Sequence, residues 1–211
     1  AHLEIVRQRA LEAEVDFGVI VSVGTFAGVR GASEAELRWQ AFTTLAYGAR
    51  ALGWFCYLTE VNYGPWTNWE DMVINRDGTR THHYAMLRQL NGEVLAWGPT
   101  LLQLESTGVY HTEPLPPQTA HFEDATLVES IAGGMALVGE FEDGGGQRWL
   151  MVVNRDYNHA VSLRLKLRQA AAGILELSRA TGKPVAPADY APDTRFLSRI
   201  SEDCSPGRRS F

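Results

Sequence analysis

Long apolar runs, cysteine and an excess of positive charge are what this 211-residue chain has least of, and each shortage removes a class of protein. No apolar run approaches the roughly 20 residues that a membrane-spanning helix needs, so neither a membrane span nor a membrane partner is expected. Cys56 sits inside an apolar stretch and Cys204 in a polar tail, two settings too unlike for a disulfide framework, which leaves the compartment open. A net charge of −6 is the reverse of the basic face that nucleic acid selects, so nucleic acid is not an expected partner. The opening Ala1-His2-Leu3-Glu4 has neither a basic leader nor a long apolar core, and no secretory signal is expected. Internal repeats and low-complexity tracts are also missing. What is present is ordinary for a globular protein: 45% hydrophobic and 21% charged residues, on a chain long enough to bury a core.

The most informative stretch runs from Ser33 to Glu60, SEAELRWQAFTTLAYGARALGWFCYLTE. Ser33 and Glu36 have the spacing of a capping box, in which the hydroxyl and the carboxylate satisfy each other's orphan N–H groups at a helix start. Leu37, Ala41, Thr44, Leu45 and Gly48 follow at helical spacing, with small residues where a helix must lie close to a sheet. Gly53-Trp-Phe-Cys-Tyr-Leu58 is apolar on both alternating faces, as a parallel strand covered by helices is. Helix, strand and terminal carboxylate together are the repeating unit of a (β/α) barrel, whose chemistry lies at the C-terminal strand ends, here Thr59 and Glu60.

Upstream, residues 3–14 are expected to form an amphipathic helix with Leu3, Val6, Ala10 and Leu11 on its apolar side, leading to a strand at Phe17 to Val23. Downstream, a loop from Val61 to Thr81 rich in Trp, Asn and Gly precedes a helix from about Thr81 to Leu95, and Gly98-Pro99 marks a stop or kink. From Glu105 the period changes from 3.6 to 2. Met135, Leu137, Gly139 and Phe141 alternate with Ala136, Val138 and Glu140; Gly144-Gly145-Gly146 makes a hairpin turn; and Val161, Leu163, Leu165 and Leu167 alternate with polar residues. Strand periodicity ends at Phe196. The expected fold is therefore α/β plus all-β: partial (β/α) barrel units over residues 1–104, then a small antiparallel β-sandwich over 105–211 with an irregular C-terminal tail.

Leu45-Ala46-Tyr47-Gly48-Ala49-Arg50 leading to Trp54-Phe55-Cys56-Tyr57, then Leu90-Asn91-Gly92-Glu93-Val94 and Val153-Asn154-Arg155-Asp156, carry a resemblance. In this order they resemble the C-terminal part of a β-galactosidase-like TIM-barrel glycoside hydrolase with its appended β-sandwich, over roughly residues 3 to 196. The resemblance implies that residues 17–23 and 53–58 correspond to barrel strands seven and eight. It implies glycosidase activity on β-linked glycosides or oligosaccharides, without a cofactor. Such enzymes place an acid/base glutamate after strand four, which is not in this sequence, and a nucleophilic glutamate at the end of strand seven, where this chain reads Val21-Ser22-Val23-Gly24. A non-catalytic carbohydrate-binding or structural remnant is the alternative.

Glycoside hydrolysis needs two carboxyl groups flanking one bond. Glu60 leads, with Asp71 as its catalytic partner and Glu70 as a solvated neighbour. Tyr57, Asn62, Tyr63, Trp66, Asn68 and Trp69 are the candidate substrate-binding residues, because aromatic rings pack on sugar C–H faces while amides meet hydroxyls. His82-His83 are adjacent on a helix, where side chains point apart, and no metal site is expected. Ser22, Cys56, His111, His121 and His159 show no nucleophile–base spacing. Phe17, Val19, Val21, Trp54, Phe55 and Tyr57 offer more apolar strand surface than the flanking helices can cover, so a homodimer through residues 1–104 is expected.

Overall fold

The computed structural model describes residues 2–60, 67–171, 173–187 and, as backbone, 196–200. Helices and sheets alternate in its first half. Helix α1 (His2–Ala13) leads to strand β1 (Gly18–Ser22), α2 (Glu34–Ala46) to β2 (Ala51–Phe55), and α3 (His82–Leu101) closes this part. β1 and β2 pair in parallel, Gly18 opposite Ala51 and Ser22 opposite Phe55, and neither has another partner among the described residues. The α2 start forms as its capping box dictates, with Ser33 Oγ accepting from Glu36 N at 3.2 Å and Glu36 accepting from Ser33 N at 2.8 Å.

Alternation along β1 and β2 sorts their side chains onto two unequal faces. Val23, Leu52 and Trp54 pack with Leu37, Ala41, Leu87 and Leu90 of the helices, and Val21, opposite Trp54, is buried. The opposite face carries Gly18, Ile20, Ala51, Gly53 and Phe55, and Ile20 is 73% exposed. The expectation of a strand buried on both faces is thus corrected, because among the described residues helices cover this two-stranded sheet on one side only. α1 differs as well. It buries Glu4, Arg7 and Ala10, while Val6 and Leu11 of the expected apolar stripe face solvent. Arg7 decides this, donating to Ser106 Oγ at 2.8 Å and pairing with Glu4 at 2.9 Å, so the polar side of the helix docks. α3 runs through Gly98-Pro99 without stopping: Pro99 deprives only the carbonyl of Leu95, a residue 76% exposed that solvent reaches.

The second half is built from strands β3 (Leu104–His111), β4 (Ala120–His121), β5 (Val128–Ala132), β6 (Ala136–Asp143), β7 (Arg148–Asn154), β8 (Ser162–Leu167), β9 (Glu176–Leu177), β10 (Pro184–Val185) and β11 (Phe196–Ile200). One sheet has the order β4-β3-β6-β7, a second the order β11-β8-β5, and β9 and β10 form a separate short pair. The two larger sheets share a core of Tyr110, Val128, Val138, Leu163 and Leu165. Pairing is antiparallel except between β3 and β4, which is parallel. In the β6–β7 turn Asp143 Oδ1 accepts from Gly145 N at 2.9 Å and Gln147 N at 3.0 Å, while Gly146 takes a φ of 78° that favours glycine. β11 overtakes the expected loss of strand structure after Phe196, pairing antiparallel with β8 from Phe196 opposite Lys166 to Ile200 opposite Ser162; backbone pairing at a free sheet edge needs no side-chain alternation.

The two halves share a wall. α2 lies across β6 and β7, and Ala46 and Tyr47 join Val109, Leu137 and Val153 in a common buried cluster. β6 is consequently buried on both faces from Ala136 to Phe141. A β-carbon at Gly139 would sit 2.2 Å from the Ala46 carbonyl oxygen, so only glycine lets the helix end come this close.

Candidate functional site

The C-terminal ends of β1 and β2 lie side by side and continue into two loops that pack on each other. Thr25 and Glu70 exchange both main-chain hydrogen bonds, at 2.9 and 3.0 Å, and Ala27 N donates to Thr67 O at 2.7 Å. Phe26 stacks on Trp69 at 5.3 Å, and Phe55 meets the pair at 5.1 Å from Phe26 and 5.8 Å from Trp69. The result is an aromatic cluster at the strand ends, left partly open by the exposed ring of Phe55. Gly24 is required there: a β-carbon would sit 2.5 Å from the Glu70 carbonyl oxygen.

Two buried side chains fix the loop that carries Glu70 and Asp71. Met72 is fully buried; its N donates to Thr59 Oγ1 at 3.3 Å, and its sulfur accepts from Cys56 N at 3.4 Å. His83 is 1% exposed, with Nδ1 2.6 Å from the Asp71 carbonyl and Nε2 2.8 Å from the Ala32 carbonyl. Both ring nitrogens face acceptors, and the ring joins α3 to both strand-end loops. The His82 ring lies 3.9 Å from it, so the two rings do not point apart as adjacent helical positions suggest. His82 is pushed down by burial and by His83, against the opposing pull of Asp71.

The strand ends earlier than its apolar pattern implies, which moves the leading carboxylate. β2 stops at Phe55, so Glu60 occupies the following loop and is exposed. The Cys56 thiol is pushed up by burial and by the negative charge of Glu60, and it donates to Leu58 O at 3.1 Å. Tyr57 is 64% exposed, its carbonyl accepting from Ile74 N at 2.8 Å. Asn68 and Asp71 are exposed with φ of 57° and 51°, in the left-handed region that short polar side chains tolerate. Trp69 belongs to the aromatic cluster, whereas Asn62, Tyr63 and Trp66 lie outside the described residues. Glu60 acts on Cys56 and Asp71 on His82, so the two carboxylates answer to different neighbours.

Phe26, Phe55, Met72 and His83 are the site-building residues that motif reasoning passed over. A single aromatic residue in a glycine-bearing loop is the only sequence signal for Phe26. Among the described residues no group of three His, Cys, Asp or Glu side chains is placed to hold a metal ion. A groove of about 510 Å³ runs along α3 beside Arg80, Tyr84 and Arg88, with Arg80 4.2 Å over the Tyr84 ring; a hollow of about 360 Å³ lies by Glu105, Glu142 and Asp143. Neither includes Glu60, Asp71 or the aromatic cluster. No known protein family matches the sequence, and neither a curated protein nor a solved structure matches the chain.

Proposed function

We propose that the chain is a glycoside hydrolase acting on β-linked glycosides or oligosaccharides, with β1 and β2 as two units of a (β/α) barrel and the strand-end face as the sugar site. The observation that carries this reading is the aromatic cluster of Phe26, Phe55 and Trp69, set at the C-terminal ends of a parallel pair beside exposed Tyr57, Glu60 and Asp71. A sugar ring offers C–H faces to such rings while its hydroxyls meet carboxylates. Glu60 serves as the first carboxylate and Asp71 as the second, and no cofactor enters the reaction. Rates on a panel of chromogenic glycosides test it. Glu60→Gln is expected to lower turnover at least 100-fold, as loss of an acid–base group does, and equal rates for both proteins would remove Glu60 from the mechanism.

Gly24 favours a second reading, binding without turnover. The end of β1 has no carboxylate, and the Glu70 carbonyl fills the space that a side chain at position 24 would need. In this reading tryptophan fluorescence responds to oligosaccharides, Trp69→Ala abolishes the response, and no product forms above a heat-killed control. We further propose that the open face of β1 and β2 is covered by a second copy of the chain.

A further inference from the structure

We propose that His111 and Tyr47 form an acid-sensitive latch between the helical half of the chain and the two-sheet half. Tyr47 caps the end of α2 and His111 ends β3. The phenol oxygen meets the imidazole Nε2 at 2.8 Å, with Tyr47 3% and His111 4% exposed. There is no slack around this contact. Ala46 abuts Gly139, and Gly48, held at a φ of 84°, leaves a β-carbon only 3.0 Å from Ser106 Cβ.

Either neutral tautomer of His111 makes this hydrogen bond, since the phenol can both donate and accept. Burial, with Glu4 adding its negative charge, pushes the Tyr47 phenol up to about 12, so the hydroxyl keeps its proton throughout the range in which the ring titrates. Nδ1 is buried and has no hydrogen-bond partner among the described residues. A second proton on the ring makes Nε2 a donor to the phenol oxygen, leaves a buried Nδ1–H without a partner among the described residues and places a cation beside Arg155. That guanidinium is fixed in place, donating to Thr112 O at 2.6 Å and Pro114 O at 3.0 Å. Burial first, then Arg155, push His111 down to about 4. The other charges nearby act elsewhere: Glu4 and Arg7 on Tyr47, where they also pair with each other, and Glu113 on Arg155. No carboxylate among the described residues bonds the imidazole.

The sign of the pH effect is fixed by these positions. His111 titrates lower in the closed state than its ordinary value of 6.5, so the latch contributes fully above about 6.5 and its contribution is lost as the pH falls toward 4. Hydrogen exchange of the whole chain at pH 7 and pH 4.5, corrected for intrinsic rates, tests it. Protection in segments 42–50 and 106–112 is expected to fall on the order of 100-fold at the lower pH, while β5 and β8 keep theirs. His111→Gln retains an acceptor oxygen and cannot titrate, so its protection should not fall. An equal fall in the variant, or a parallel fall in β5 and β8, overturns the latch. Should the variant fail to fold, the wild-type imidazole signals decide: a titration midpoint at or above 6.5 overturns it, and a midpoint well below supports it.

Discussion

Glu140 sits fully buried on the central strand β6, facing the second sheet, and four donors surround its carboxylate. Thr126 Oγ1 donates at 2.7 Å, and the main-chain N–H groups of Thr126, Leu127 and Val128 donate at 3.0, 2.8 and 3.1 Å. The side chain thus binds the lead-in of β5 to β6 and satisfies three backbone groups that the sheet ladders do not reach. Glu140→Gln turns an amide N–H₂ toward those donors and leaves buried groups unpaired. We expect a loss on the order of 3 kcal/mol in urea denaturation, against about 1 kcal/mol for Thr126→Val. A loss within 0.5 kcal/mol of zero for Glu140→Gln, a figure typical of surface substitutions at about that size, would show the donors are satisfied without it. Alternation predicts that Glu140 shares a face with Ala136 and Val138, and it does. What alternation cannot show is that both faces of β6 are covered, because the covering helix lies far away in sequence. His83 escapes a linear reading for the same reason, its partners being carbonyls of two distant loops.

At the scale of elements, α2 and α3 are held together by a paired fork. Arg38 donates to Glu93 at 3.1 and 2.7 Å, with their side chains only 8% and 12% exposed, and its guanidinium lies 5.3 Å from the Phe42 ring. A bidentate pair shielded from water is worth more than a surface ion pair. Removing one partner strands a buried charge, so Glu93→Gln alone is expected to cost about 3 kcal/mol. A double-mutant cycle with Arg38→Met should recover at least 1 kcal/mol of coupling, an amount typical of residues in contact at roughly 0.5 to 3 kcal/mol; strict additivity would show the pair is idle. Helix starts were the most legible elements, since Ser33, Glu36 and Thr81 are local signals with local geometry. The end of β2 was not. Cys56, Tyr57 and Leu58 continue the apolar pattern, but backbone pairing with β1 ends at Phe55, because β1 itself ends at Ser22. The apolar pattern therefore places Glu60 at a strand end, whereas it belongs to the loop that follows.

For the whole molecule, the open face of the parallel pair and the outward side of α1 set the expected assembly. Ile5, Val6, Leu11 and Val15 are 41% to 59% exposed, and Ile20 stands out further at 73%. Covering a large aliphatic side chain contributes about 1.5 to 3 kcal/mol, so each of these exposed side chains favours burial against a second copy. Light scattering coupled to size exclusion is expected to give a dimer at micromolar concentration, and Ile20→Glu a monomer of unchanged helix content. A stable wild-type monomer would remove the assembly. The division into a helical half and a sheet half was legible from the change of period at Glu105, but their common wall was not, since nothing local marks Gly139 as the seat of a helix end.

That seat governs how the chain melts. Because Gly139 lets the end of α2 rest directly on β6, neither half retains a finished interior once the other is lost. Heat absorption in a scanning calorimeter should accordingly come as one peak whose van't Hoff and calorimetric enthalpies agree. Gly139→Val, by pushing the Ala46 carbonyl and with it the helix end off β6, should split that peak in two, turning one cooperative body into a pair joined by a hinge.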